Sequence, residues 1–146
     1  MAPASCLLDT NILLRISRRT DPEYATAYGA LAKLESAGAA LHYTHQNIAE
    51  FWNVMTRPVA RNGFGLTAAE AEREVQTIEQ GMRFLPESDA TYREWRRLIL
   101  LYKVSALRFM MLDLQRRCWS MASGDFARYA GIVAMHPKTI ALSESP

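Results

Sequence analysis

Short apolar runs that halt at polar residues, each followed by a segment with helical spacing, restrict the folds open to this chain more than any other feature. In SCLLDTNILL the apolar residues Cys6, Leu7 and Leu8 stop at Asp9, and Thr10 and Asn11 open the next segment. A buried strand that ends at a polar turn and enters a helix has this pattern, so Asp9 is expected at a strand's carboxyl end. Pro22 leads PEYATAYGALAKLESAG, a helix ended by Gly38, and AALHYT reads as a second strand. HQNIAEFWNVMTRP carries Ile48, Phe51, Trp52 and Met55 at helical spacing before Pro58, and RPVARNGFGL is a loop.

The alternation continues to the end of the chain. LTAAEAEREVQTIEQGM opens with Thr67 three residues before Glu70, a capping box, and RFLPES reads as a short strand. Tyr92, Trp95, Leu98, Ile99 and Tyr102 lie at helical intervals in DATYREWRRLILLYKVS, and GIVAMHP is a last strand closed by Pro137. Strands alternating with helices predict an α/β fold: a mostly parallel sheet with helices on both faces, three layers in all. Sites in such sheets gather beyond the carboxyl ends of the strands.

A length of 146 residues, 49% hydrophobic and 22% charged, fits one domain spanning residues 1–146. With 17 basic against 15 acidic residues the net charge is only +2, so affinity for nucleic acid has to come from local patches. Cys6 and Cys118 have no neighbours at metal spacing, which argues against a disulfide framework or a zinc site and for a reducing, cytoplasmic compartment. No apolar run of membrane-spanning length and no signal-peptide pattern is present.

Two acids stand out. A carboxylate at the position of Asp9 can hold a hard cation above the sheet, or cap the next helix. Glu50 lies between Ala49 and Phe51 in an apolar helix, where it binds a metal, faces solvent, or pairs locally with Arg57. Arg15, Arg18 and Arg19, and later Arg93, Arg96, Arg97 and Lys103, can meet RNA phosphates or form solvated helix faces. His42, His45 and His136 share no metal spacing; His45, just ahead of the Glu50 helix, either lines a cleft there or has a structural or surface role. Tyr43, Phe51, Trp52, Trp95 and Tyr102 fit core packing better than base stacking.

LLDTNILLR, HQNIAEFWNVMTRP and DFARYAGIVAMHP, in this order and at these separations, resemble the PIN-domain family, in particular the VapC-like toxin ribonucleases of bacteria. The resemblance implies acidic residues converging on Mg²⁺ (or Mn²⁺) and endonucleolytic cleavage of RNA by a metal-activated water. It also implies a homodimer and a cognate VapB-like antitoxin. Asp9 and Glu50 match the family's first two acids, Asn11 matches the polar residue that supports them beside Thr10, and Asp125 with Phe126 matches the later D-F pair.

The family's helix reading approximately H-D-A-R, and the strand after it, have no counterpart in ALRFMMLDLQRRCWSMAS, residues 106–123. A permitted coding of that stretch, read in the neighbouring frame, spells Gln-Val-His-Asp-Ala-Arg. On this reading the segment is frameshifted, the original frame returns at about Gly124, and one strand is lost before residue 124. The family's aspartate then falls where Met111 stands, and a thioether cannot replace a carboxylate on an oxygen-seeking cation. Asp113, two positions along a helix, sits about 200° around the axis and faces away. The segment itself still has helical periodicity, with Leu107, Met110, Met111, Leu114, Cys118 and Met121 on one face. Two functions follow from the resemblance: an active metal-dependent endoribonuclease, or a catalytically dead PIN-like remnant that only binds antitoxin or RNA.

Overall fold

The computed structural model describes residues 5–102, 117–119 and 133–135, together with 138 and 140. The opening apolar run forms β1 (Ser5–Leu8), which Asp9 ends by capping α1 (Thr10–Ile16). After a turn around Pro22 comes α2 (Tyr24–Ser36), and Gly38, at φ 81°, turns the chain into β2 (Ala40–Tyr43). Next come α3 (His45–Thr56), a 3₁₀ turn (Val59–Arg61) and α4 (Ala68–Gly81). The capping box of α4 forms as the Thr67 and Glu70 spacing predicts. Then follow β3 (Arg83–Phe84) and α5 (Asp89–Tyr102). Two short strands, β4 (Arg117–Trp119) and β5 (Val133–Met135), come last among the described elements.

All four strand pairings are parallel, in the order β3-β2-β1-β4-β5. The sheet grows from β1 through β2 to β3, then resumes on the other side of β1. The point where strand order reverses therefore lies beside β1's carboxyl end, where sheets of this kind open a crevice. Asp9 is the residue there.

The core follows from strands that must be covered on both faces. Cys6, Leu7 and Leu8 are all buried in β1, and Cys6 and Leu8 join Ile12 and Leu13 of α1 and Phe51 and Met55 of α3 in the apolar cluster. The helix α5 differs from a simple core helix, because Tyr92, Leu100 and Leu101 are exposed.

The expectations of helical periodicity through 106–123 and of a strand lost before residue 124 are corrected at residues 117–119. Arg117–Trp119 is β4, paired in register with Leu7 and Leu8 on one side and with Val133 to Met135 on the other. The physical reason is β1 itself: without β4 a buried central strand would expose one row of backbone donors and acceptors, and any extended segment within reach satisfies them. Residues 106–116 lie outside the described residues.

Candidate active site

The site begins with how two strands end. Asp9 is in extended conformation as the N-cap of α1, and its Oδ1 accepts the Asn11 backbone N–H at 3.0 Å. Thr44 ends β2 in the same manner, capping α3 with its Oγ1 accepting the Asn47 N–H at 3.3 Å. Asn47 replies through its Oδ1, which accepts the Thr44 backbone N–H at 2.9 Å and lies the same distance from Thr44 Oγ1. Neighbouring parallel strands that both stop at a capping residue start α1 and α3 side by side above the same edge of the sheet.

Between these helices runs a chain of hydrogen bonds. Asn47 Nδ2 donates to Thr10 Oγ1 at 3.2 Å, and Thr10 Oγ1 donates to Glu50 Oε2 at 2.7 Å. Gln46 Nε2 donates to the other oxygen, Glu50 Oε1, at 2.9 Å from one turn earlier on α3. Thr10 is buried at 6% exposure and Asp9 at 9%, so the hydroxyl that holds Glu50 is fixed by the core and immediately follows Asp9 in the chain. Of the alternatives for Glu50, the local pairing with Arg57 is not the one formed: its oxygens accept from Thr10 and Gln46. Asp9 caps α1, one of its two alternatives, and it does so at the point where strand order reverses.

Thr10 therefore supports the site with its side chain. Asn11 contributes its backbone amide to Asp9, while its side chain is exposed. Asp113 and Asp125, the remaining acids of the sequence reading, lie outside the described residues. Sequence reasoning missed Thr44, Asn47 and Gln46 as the scaffold of Glu50. The Thr-x-x-Asn spacing was the available signal, a capping box with Asn in place of Glu or Gln. The arginines after the first motif have structural work: Arg15 pairs with Asp21 at 3.2 Å, and the Arg18 guanidinium stacks 4.3 Å above the Phe64 ring.

Two carboxylates on adjacent secondary elements, with no soft donor among them, suit a hard divalent cation. Each Glu50 oxygen accepts a hydrogen bond, from Thr10 or from Gln46, and keeps lone-pair capacity for a second interaction. Among the described residues no group of three or more His, Cys, Asp or Glu is placed to hold a metal, so Asp9 and Glu50 alone would leave most coordination positions to water, as Mg²⁺ tolerates. Among the described residues no helix is long and apolar enough to cross a membrane.

Comparison with known proteins places this geometry. The crystal structure of VapBC2 from Rickettsia felis bound to a DNA fragment from their promoter superimposes with a TM-score of 0.64 over 90% of this chain and 98% of that chain, at 13% identity. That likeness is one of fold. No curated protein matches the sequence. The family model of the PIN domain matches residues 6–114, a span that holds both Asp9 and Glu50 and stops inside the unusual 106–123 segment. The chain belongs to the PIN-domain family.

Proposed function

We propose that this protein is a VapC-type toxin, an endoribonuclease that depends on Mg²⁺ or Mn²⁺ and works in the cytoplasm as a homodimer with a VapB-like antitoxin. The observation that carries the reading is the tie between Thr10 and Glu50, which holds a second carboxylate beside Asp9 where strand order reverses. The antitoxin is supported by the fold's likeness to a VapBC2 complex.

On this reading Asp9 and Glu50 hold the cation, with Asp125 as a third acid, and the cation supplies an activated water and neutralises charge on the phosphate. The chain's own residues do the positioning. Thr10 and Gln46 fix both oxygens of Glu50, and the Asn11 amide fixes Asp9, so neither acid has to be ordered when metal and RNA arrive.

The second reading, a catalytically dead remnant that keeps antitoxin or RNA binding, is favoured by Met111, where on the frameshift reading the family's helix aspartate falls. Calorimetric titration with Mn²⁺, together with cleavage of a structured RNA by wild type and Asp9→Asn, separates the two. Cleavage that disappears in Asp9→Asn establishes the nuclease. Intact protein that takes up no Mn²⁺ and cuts no RNA refutes it.

A further inference from the structure

The carboxyl edge of the sheet carries a feature that the acids and their hydrogen bonds leave unused: a pair of exposed rings. Phe84 ends β3 and lies in register with Tyr43, the last residue of β2. The Tyr43 ring is buried and 5.6 Å from that of Phe84, and the ring of exposed His45 is 4.4 Å from that of Phe84, tilted by 43°. Three rings thus step from the core to solvent, and Phe84 keeps 39% of its surface exposed. An exposed apolar residue alone is ordinary. This one is distinguished by place.

His45 begins α3 between Thr44, whose box with Asn47 anchors Thr10, and Gln46, whose amide holds Glu50. His45 and Glu50 are therefore mounted on the same helix, within about its first turn and a half, and Phe84 of β3 lies against His45. Across the sheet, β3 lies two strand spacings from β1, roughly 9.6 Å, so the rings flank Asp9 at a distance that nucleotides adjacent to a bound phosphate can span.

We propose that Phe84 and His45 form a stacking platform for an unpaired nucleobase beside the phosphate held at Asp9 and Glu50. The inference rests on the nuclease reading above. Aromatic and imidazole rings accept any base by its π-face, so the platform selects unpaired RNA rather than a sequence. In a duplex those faces are stacked on neighbouring bases and unavailable. The buried Tyr43 ring backs Phe84, so the platform is ordered before RNA binds.

The test is binding in EDTA of a short fluorescein-labelled single-stranded RNA, the same sugar-phosphate backbone without bases, and the matching duplex. The proteins are wild type, Phe84→Ala, Phe84→Trp and His45→Ala. Phe84→Ala is expected to weaken single-strand binding by about 5- to 150-fold, with Phe84→Trp close to wild type and the abasic strand indifferent to all three changes. His45→Ala weakens single-strand binding in the same sense. Single-strand affinity unchanged in both Phe84→Ala and His45→Ala overturns the platform, and is the result expected if the rings receive a protein partner instead. Equal weakening of the abasic strand overturns it too. Should Phe84→Ala lose its cooperative melt, Phe84→Leu and His45→Ala decide by the same criteria. Because EDTA removes metal, ring-dependent binding without Asp9-dependent cleavage would refute the nuclease and leave the platform standing.

Discussion

Thr10→Val isolates the contact on which the candidate site depends. Valine keeps the shape of threonine at a position only 6% exposed, and removes the hydroxyl that donates to Glu50 Oε2 at 2.7 Å and accepts from Asn47 Nδ2 at 3.2 Å. A hydrogen bond to a charged group contributes ~1.5–3 kcal/mol, and the half-buried Asn47 amide adds less because water can reach it. The methyl that replaces the hydroxyl offsets at most ~0.8 kcal/mol. The net loss is about 2 kcal/mol, a fall in Tm of ~4–8 °C for a domain of this size. Partners that orient metal-binding carboxylates are worth ~10–100-fold in metal affinity, so Mn²⁺ binding weakens by that order. Thermal melting and calorimetric titration of Thr10→Val, Thr10→Ser and the Thr10→Val/Glu50→Gln pair give the answer. Serine should recover most of both quantities, and the double variant should show a coupling of at least ~0.5 kcal/mol, as groups in one network do. Thr10→Val melting with wild type and binding Mn²⁺ equally well would refute the reasoning, as would serine behaving like valine, which would assign the effect to the methyl.

Other outcomes follow from single features. Glu70 closes the α4 cap, and the side chain and backbone N–H of Thr67 that donate to it hold its carboxyl below the ordinary value of 4.5. A depressed folded value means stabilisation that is present above 4.5 and is lost as pH falls through the depressed value, so melting curves of wild type and Glu70→Gln should converge on acidification in that window. Constant separation down to the acid transition would contradict this. Burial pushes the Cys6 thiol up to about 12, so in a Cys118→Ser background native protein should resist iodoacetamide at pH 8 and label only in denaturant; rapid native labelling refutes it. Gly63→Ala aims a Cβ at the Arg57 carbonyl, a backbone atom that cannot swing aside, and should cost ~1–3 kcal/mol by chemical denaturation. An unchanged midpoint would show that the turn relaxes. The gene's codons for 106–123 should spell the family's H-D-A-R helix in the neighbouring frame; codons that do not would remove the frameshift.

What could be read from the sequence depended on whether a feature is local. Asp9 was legible because one strand's end and one helix's start fix it within three residues, and the same local chemistry gave α4 its cap at Thr67. Glu50 was legible only as an oddity on an apolar helix. Its bonds to Thr10, forty residues earlier, and to Gln46 exist because two parallel strands end side by side, which periodicity does not encode. The ring pair of His45 and Phe84 stayed hidden for the same reason, since it follows from the β2–β3 register. The 106–123 segment shows the converse. Its helical spacing hid a strand, because β1 demands hydrogen bonds from a neighbour and a ladder is made of backbone, to which the side chains are nearly indifferent. A segment of very different side chains can therefore still supply β4 and complete the sheet. A hard-cation site has no such tolerance, because carboxylate oxygens bind such a cation and a thioether does not replace them. A change of frame in this segment would thus threaten chemistry far more than fold, and on the frameshift reading metal binding and melting behaviour should respond to restoring the frame by very different amounts.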